Sequence, residues 1–206
     1  MEQTLIPDII VGRLPTYLNM LQHQLSENVL VTSSKELGDL MGISAAQIRK
    51  DLSQFGEFGK QGRGYSVVYL ISELQNILNL NQIWELVIVG AGSLGTAIAN
   101  YPGFKHNCFR VSMIFDNDPN IIGSKIGEFV VQSTENMEFE IRKSGLKIAM
   151  LTIPAPMAQK TAENLVNAGI LAILNYAPIS LKLPKGIQVQ YLNPVQNLQH
   201  MTYYIK

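Results

Sequence analysis

Residues 86–95 have the sequence Leu-Val-Ile-Val-Gly-Ala-Gly-Ser-Leu-Gly, which is the most informative segment of the second half of the chain. Its four leading apolar residues predict a short buried strand, and the residues from Thr96 onward predict a helix. Glycines at 90, 92 and 95, placed between a strand and a helix, are the fingerprint of a turn that binds a dinucleotide. Gly90 makes the turn, Gly92 lets a pyrophosphate approach the backbone, and Gly95 lets the helix pack on the strand. The phosphates would lie at the N-terminus of that helix, where free N–H groups attract anions.

The end of the next predicted strand indicates which dinucleotide to expect. That strand runs from Val111 to Phe115 and is followed by Asp116, whose carboxylate can accept hydrogen bonds from the adenosine ribose and would repel a 2′-phosphate. No lysine or arginine lies between positions 110 and 125, so NAD⁺ or NADH is favoured over NADP. The glycines alone would also admit FAD or S-adenosylmethionine. The cofactor residues expected from these motifs are Gly90, Ala91, Gly92, Ser93, Leu94, Gly95 and Asp116.

The chain after Glu85 is long enough for a nucleotide-binding fold and one further helix, which leaves no substrate domain. The three histidines of the whole chain, His23, His106 and His200, match no dehydrogenase acid–base motif. We therefore expect a bound dinucleotide that acts as a signal in a protein that is not an enzyme. Two alternatives stay open at this point: a compact NAD-dependent oxidoreductase with an accessory helical domain, and a scaffold with a vestigial nucleotide fold.

The hydrophobic pattern changes near residue 84, which predicts two domains. Before it, apolar residues recur at helical spacing, and the last helix is expected from Tyr69 to about Leu80. After it, short apolar runs alternate with helical segments, which indicates a parallel sheet. The predicted strands are Leu86–Val89, Val111–Phe115, Ile148–Ile153 and Ile170–Leu174. We therefore expect an α/β protein with a helical domain over residues 1–80 and a Rossmann-like domain over residues 85–206.

The helical half contains the outline of a helix-turn-helix. Ser33 and Glu36 stand three residues apart, as do Ser44 and Gln47, and each pair fits a capping box at the start of a helix. Gly42 lies between the two helices and can supply the tight turn. This outline is typical of DNA-binding proteins, although any helical hairpin would share it.

The residues after this turn favour DNA binding. On the second helix Ile48, Leu52 and Phe55 share an inner face, which leaves residue types that read bases and phosphates outside. The glycine-rich segment 56–64 then suits a β-hairpin wing, with Lys60 and Arg63 along the DNA backbone or minor groove. The candidate DNA contacts are Ser44, Ala46, Gln47, Arg49, Lys50, Ser53, Lys60 and Arg63, and Arg49 has the alternative of anchoring its helix to the core or to Asp51.

Charge and composition set limits on this interpretation. The chain has 206 residues and a formal net charge of +0, and only 16% of its residues are charged. Residues 42–64 carry four basic against two acidic side chains, a modest patch that requires two copies for useful affinity. A lone Cys108, the lack of a basic, apolar leader and the lack of a long apolar run predict a soluble protein of a reducing compartment, the cytoplasm.

These motifs together resemble the Rex family of redox-sensing transcriptional repressors. The resemblance extends over nearly the whole chain and implies a homodimer that binds a double-stranded, A/T-rich inverted-repeat operator through winged helices and releases it when NADH binds. It also implies that a C-terminal helix, here about Pro194 to Ile205, is exchanged with the partner subunit. The most specific stretches are Gln47–Gly59, Gly90–Gly95, Asn100–Phe104, Phe115–Pro119 and Ile173–Pro178.

The redox response has a physical rationale in the uncharged nicotinamide of NADH. A pocket lined by apolar and aromatic groups would remove hydration from the cationic ring of NAD⁺ for little return. The residues expected to line it are Tyr101, Phe104, Ile153, Pro154 and Pro178. Two positions depart from the family pattern: the wing has Gln61 and Arg63 where members commonly have Arg and then an aliphatic residue, and Asn193 replaces an acid thought to pair with the tyrosine matched by Tyr101.

Overall fold

The computed structural model describes residues 6–59 and 64–205, and the chain divides into two compact units between Gln82 and Ile83. The first unit is helical with a small antiparallel pair of strands, and the second is a parallel sheet covered by helices. The α/β fold class expected from the sequence is therefore confirmed. No helix among the described residues is long and apolar enough to cross a membrane.

The described residues of the first unit form five helices and one strand pair. Strand β1 (Val31–Thr32) pairs antiparallel with β2 (Tyr65–Ser66). This pairing brings the segment before the helix-turn-helix next to the segment that follows the glycine-rich stretch. One apolar core, with Leu14, Leu21, Ile48 and Leu74 fully buried, joins these elements. The elements are α1 (Asp8–Val11), α2 (Leu14–Ser26), β1 (Val31–Thr32), α3 (Ser34–Met41), α4 (Ala45–Leu52), β2 (Tyr65–Ser66) and α5 (Val67–Ile77).

Serine caps set the starts of α3, α4 and α5. The Ser33 side chain accepts a hydrogen bond from the backbone of Glu36, whose carboxylate accepts one from the Ser33 N–H, so the first capping box is confirmed. The last helix begins earlier than expected, at Val67, because the Ser66 hydroxyl caps it by accepting from the Tyr69 N–H. It also ends earlier, at Ile77 rather than near Leu80.

The second unit contains a sheet of six parallel strands. Their order across the sheet is β7 (Gln132–Ser133), β4 (Phe109–Asp116), β3 (Trp84–Val89), β8 (Ile148–Leu151), β9 (Ala172–Asn175) and β10 (Gln188–Tyr191). Numbered along the chain this is 3-2-1-4-5-6, the order of classical dinucleotide-binding folds, with a switch point between β3 and β8. Along the chain, a small antiparallel hairpin formed by β5 and β6 comes between β4 and β7 and is separate from the main sheet. The elements are β3 (Trp84–Val89), α6 (Ser93–Ala99), α7 (Gly103–His106), β4 (Phe109–Asp116), β5 (Lys125–Ile126), β6 (Phe129–Val130), β7 (Gln132–Ser133), a 3₁₀ turn (Thr134–Asn136), α8 (Met137–Ser144), β8 (Ile148–Leu151), α9 (Ala155–Asn167), β9 (Ala172–Asn175), β10 (Gln188–Tyr191) and α10 (Pro194–Thr202).

Both faces of the sheet are covered, as a parallel sheet requires. Along β3, Val87 and Val89 belong to the core under α8 and α9, whereas Leu86 and Ile88 belong to the core on the opposite face. None of the residues of the terminal helix α10 is buried in the single chain.

Candidate cofactor and DNA sites

The turn after β3 is built so tightly that two of its glycines admit no side chain. Gly90 has φ +104°, and a Cβ there would lie 2.6 Å from the Thr152 carbonyl oxygen. A Cβ on Gly95 would overlap the carbonyl oxygen of Gly90 itself. The turn and the start of α6 are therefore packed against each other, as the fingerprint predicts for its first and third glycines.

Gly92, between them, is different because a Cβ there would meet nothing within 4 Å. It forms the N-cap of α6 with φ −66° and supplies no side-chain hydrogen bond to the helix. The turn thus leaves open space in front of a helix start that no side chain caps. This geometry fits a pyrophosphate, whose oxygens would accept hydrogen bonds from the backbone N–H groups.

Asp116 lies at the end of β4 and faces the same turn. Its carboxylate accepts hydrogen bonds from the N–H of Ala91 (2.6 Å) and from the N–H of Asp118 (2.8 Å). It also lines a cavity of about 180 Å³ together with Gly90 and Ile153. Asp118 makes an Asx turn, because its carboxylate accepts from the N–H of Asn120. Asp116 is therefore held against the glycine turn at one side of this cavity.

Sequence reasoning did not find most of the residues around this cavity. They follow the carboxyl ends of β4 and β7 or lie on α9, and no motif marks them. They are Asn117, Thr134, Glu135, Met137, Met157, Thr161 and Asn164. Thr152 was also missed; its hydroxyl lies 2.8 Å from the carbonyl oxygen of Gly90 and 3.0 Å from that of Val89, and so braces the glycine turn.

The five residues expected to line one nicotinamide pocket do not come together in a single chain. Ile153, Pro154 and Pro178 follow the carboxyl ends of β8 and β9. Tyr101 and Phe104 follow α6, which runs back from the glycine turn, and they line a separate cavity of about 320 Å³ with the first residues of β4. The two groups thus lie at opposite edges of the sheet, because a helix returning along a strand ends at the strand's amino end.

Each of these groups is locally well defined. The rings of Tyr101 and Phe104 meet edge to face at 5.4 Å, and Tyr101 is 59% exposed. The loop that carries Pro178 is fixed by the buried Asn175, whose amide donates to the carbonyl oxygens of Ala177 and Ile179.

In the first unit, the helix-turn-helix turns at Gly42, which has φ +66° and ends α3. Gly59 lies against Gly64 and Tyr65, so the two ends of the glycine-rich segment approach each other. Lys60 and Arg63 lie outside the described residues, and so does the departure at Gln61. The exposed candidates on and beside α4 are Ser44, Ala46, Arg49, Lys50 and Ser53.

Gln47 corrects two expectations about α4. Its backbone N–H donates to the Ser44 hydroxyl as expected, but its side-chain amide does not return to the Ser44 backbone to complete a second capping box. The amide instead donates to Asp51 at 2.6 Å, and Gln47 is half-buried rather than fully outside. The hydrogen bond from this amide to the ionised carboxylate of Asp51, one helical turn away, is stronger than a bond between the amide oxygen and the solvent-exposed Ser44 N–H.

Arg49 anchors its helix to a neighbour that was not anticipated. One guanidinium nitrogen donates to the Ser34 hydroxyl at the start of α3 (3.0 Å), and Asp51 does not pair with it. Arg49 itself remains exposed.

The partner of Asp51 is Arg13, just before α2. Asp51 is fully buried and accepts from Arg13 Nε (2.6 Å) and Nη2 (2.8 Å) and from the Tyr17 hydroxyl (2.6 Å). Burial opposes its charge, but the hydrogen bonds from Arg13, Tyr17 and Gln47 outweigh burial and lower its pKa. Burial and the adjacent carboxylate raise the pKa of Tyr17 to about 12. A charged residue at a core position of α4, between Ile48 and Phe55, was the sequence signal for this cluster.

Comparison with known proteins agrees with this two-part architecture. Residues 81–179 match the model of the CoA binding domain family, and residues 5–53 match that of the putative DNA-binding protein N-terminus family. A redox-sensing transcriptional repressor Rex from Chloroflexus aggregans is 46% identical over 199 residues, which cover 97% of this chain and 94% of that protein. The chain belongs to the Rex family of redox-sensing transcriptional repressors.

Solved structures of a Rex-family repressor, RSP, share the whole fold. RSP in complex with β-NAD⁺ and operator DNA superposes with a TM-score of 0.93 at 40% identity and covers 98% of this chain and 93% of that chain. RSP in complex with β-NADH gives a TM-score of 0.90 at 38% identity, with coverage of 98% and 95%. The resemblance of this chain to Rex proteins is therefore confirmed over nearly its full length.

Asn193, one of the two departures expected from the sequence, acts as the N-cap of α10. Its side-chain oxygen accepts a hydrogen bond from the Val195 N–H at 3.0 Å. An aspartate would accept the same bond, so the departure preserves the start of the helix while removing a charge.

Proposed function

We propose that this Rex-family chain is a homodimeric repressor that senses the ratio of NADH to NAD⁺ and releases operator DNA when NADH binds. The observation that carries the proposal is the presence, in one chain, of a helix-turn-helix and a dinucleotide turn at the switch point of a classical sheet. The oxidoreductase alternative lacks support, because the similar proteins are named as repressors. The cytoplasm, where operator DNA and NADH meet, is the proposed location.

Residues 85–206 would hold the cofactor. The open space at Gly92 admits the pyrophosphate, the N–H groups at the start of α6 bind its oxygens, and Asp116 receives the ribose hydroxyls. A bound nicotinamide dinucleotide supplies the redox signal through the charge of its ring. Ile153, Pro154 and Pro178, at the ends of β8 and β9, would lie nearest that ring.

Two features of the same unit support dimerisation. Tyr101 and Phe104 lie at the wrong edge of the sheet for their own chain's cofactor, so they can contact a nicotinamide only across a subunit interface. The terminal helix, about residues 194–205, exposes Val195, Leu198 and Met201, each more than half accessible. Exchange of this helix with a partner subunit would bury that apolar stripe.

Residues 1–80 would bind the operator. The exposed Arg49 and Lys50 supply charge, and Gln47 and Ala46 supply base contacts in the major groove. Moving a two-state dimer from 1:99 to 99:1 needs about 5.5 kcal/mol of differential cofactor binding. The two nicotinamide rings of a dimer, which are neutral in NADH and positively charged in NAD⁺, would provide this difference in binding free energy.

Fluorescence anisotropy of a labelled A/T-rich inverted repeat tests the proposal. We expect the chain to bind the duplex, NADH to release it against a fixed excess of NAD⁺, and NADPH to have little effect. Binding that ignores NADH would refute the redox switch. No binding to any half-site spacing at low salt would refute the repressor.

A further inference from the structure

Asp51 is a buried carboxylate on α4, the helix of the proposed base contacts. Its two oxygens accept four hydrogen bonds, two from the guanidinium of Arg13, one from Tyr17 and one from Gln47. Ile48 and Leu52 also hold α4 to the core, but apolar contacts have no direction and allow small rotations. The forked ion pair fixes the rotation of α4 about its axis, since both nitrogens must meet both oxygens.

The same carboxylate also fixes which way the Gln47 amide faces. An ionised carboxylate only accepts hydrogen bonds, so Asp51 can contact only the NH₂ end of the amide. The lowered pKa of Asp51 keeps the carboxylate ionised at neutral pH. One Nε2 hydrogen is therefore committed to Asp51, and Oε1 and the second hydrogen remain for another partner.

We propose that Asp51 is a positioning residue for base reading, which orients the Gln47 amide toward an adenine in the major groove. Adenine offers a donor at N6 beside an acceptor at N7, and Gln47 offers an acceptor beside a donor. This inference rests on the proposed DNA-binding function. It assigns a specificity role to a side chain that never touches DNA, because it lies inside the domain.

Asparagine at position 51 is the critical change. Its side chain has both a donor and an acceptor, so the Gln47 amide can bind it in either orientation. The ordered pair of groups facing the groove is then lost, while the exposed Arg49 and Lys50 are untouched. Tyr17→Phe is the matched control, because it removes one hydrogen bond to the same carboxylate and leaves the contact with Gln47 in place.

The experiment measures binding of the full-length protein, without NADH, to operators in which each base pair of one half-site is changed in turn. Gln47→Ala identifies the position that Gln47 reads by abolishing discrimination there. A bidentate contact corresponds to roughly 5- to 150-fold discrimination. We expect D51N to reduce that ratio toward one at the same position only, and Y17F to keep it.

Each outcome bears on the inference. If D51N keeps full discrimination, or flattens all positions equally, Asp51 has no positioning role although the repressor function stands. If the unsubstituted protein binds no operator, the proposed function fails and this inference fails with it. If D51N does not fold, NMR of the unsubstituted protein decides: we expect one Nε2 proton of Gln47 to exchange slowly with water, and fast exchange of both would overturn the inference.

Discussion

The stability of the fold should respond differently when the same methyl group is added to two glycines of one turn. In Gly92→Ala the new Cβ meets nothing within 4 Å and the backbone angle of φ −66° suits alanine. We expect the free energy of unfolding to change by no more than about 1 kcal/mol, because alanine restricts the unfolded chain but is a poorer N-cap than glycine. In Gly95→Ala the Cβ overlaps the Gly90 carbonyl oxygen, so α6 must move and the domain is destabilised.

Cofactor binding should nevertheless be weakened by both changes. The methyl group of Gly92→Ala fills the space through which a pyrophosphate reaches the backbone and prevents at least one charge-assisted hydrogen bond. Such a bond contributes about 1.5–3 kcal/mol, so the Kd for NADH should rise roughly 10- to 150-fold. Calorimetric titration with NADH and urea unfolding of the same samples measure both effects. NADH affinity equal to that of the unsubstituted protein in Gly92→Ala would refute the placement of the pyrophosphate.

Three further predictions concern other parts of the chain. Arg13→Met leaves the fully buried carboxylate of Asp51 with two neutral donors, and breaking such a pair costs about 3–5 kcal/mol of unfolding free energy. Urea midpoints should show this loss at pH 7 and a smaller difference between the two proteins below pH ~4. The reason is that the lowered pKa of Asp51 stabilises the fold only above the pKa of an unfolded aspartate, and the benefit disappears as the carboxyl protonates. The raised pKa of Tyr17, about 12, contributes about 2–3 kcal/mol to the stability of the fold below pH ~10, and this contribution is lost as the pH rises toward 12. Hydrogen exchange of α2 measured against pH should show this decline in stability. The decline should be absent in Tyr17→Phe. Removal of residues 194–206 should convert the proposed dimer to monomer in sedimentation, whereas a dimer that survives would refute helix exchange.

Long, periodic elements and one motif were predictable from the sequence. The core strands β3 and β4 and the glycine turn follow from apolar runs and spacing. Strands β7 and β10 were not predicted, because they are short, partly polar and lie at the sheet edges, where only pairing with a neighbour defines them. The start of α5 was misplaced by two residues because its serine cap precedes the apolar pattern.

Site residues were predictable only where a local pattern encodes them. The position of Asp116 beside the glycine turn was predictable, because the end of the second strand lies next to the turn that follows the first. The Arg13–Asp51 pair could not be found by spacing, since 38 residues separate its members and only the fold brings them together. Tyr101 was grouped with Pro178 on chemistry alone, without the topology that separates them.

The hydrogen bond between Asp116 and Ala91 makes the adenosine side of the site ready-made before any cofactor arrives. Adenosine and pyrophosphate are identical in NADH and NAD⁺, so everything this turn contributes to binding is the same for both redox forms. A contribution that is the same for NADH and NAD⁺ cannot distinguish the two redox forms, because only a difference in binding free energy does so. In the proposed site the turn would therefore set how much total nicotinamide dinucleotide binds to the protein, and with it the detection threshold. Any molecule that carries the same adenosine diphosphate half can compete there and blunt the response without carrying redox information itself.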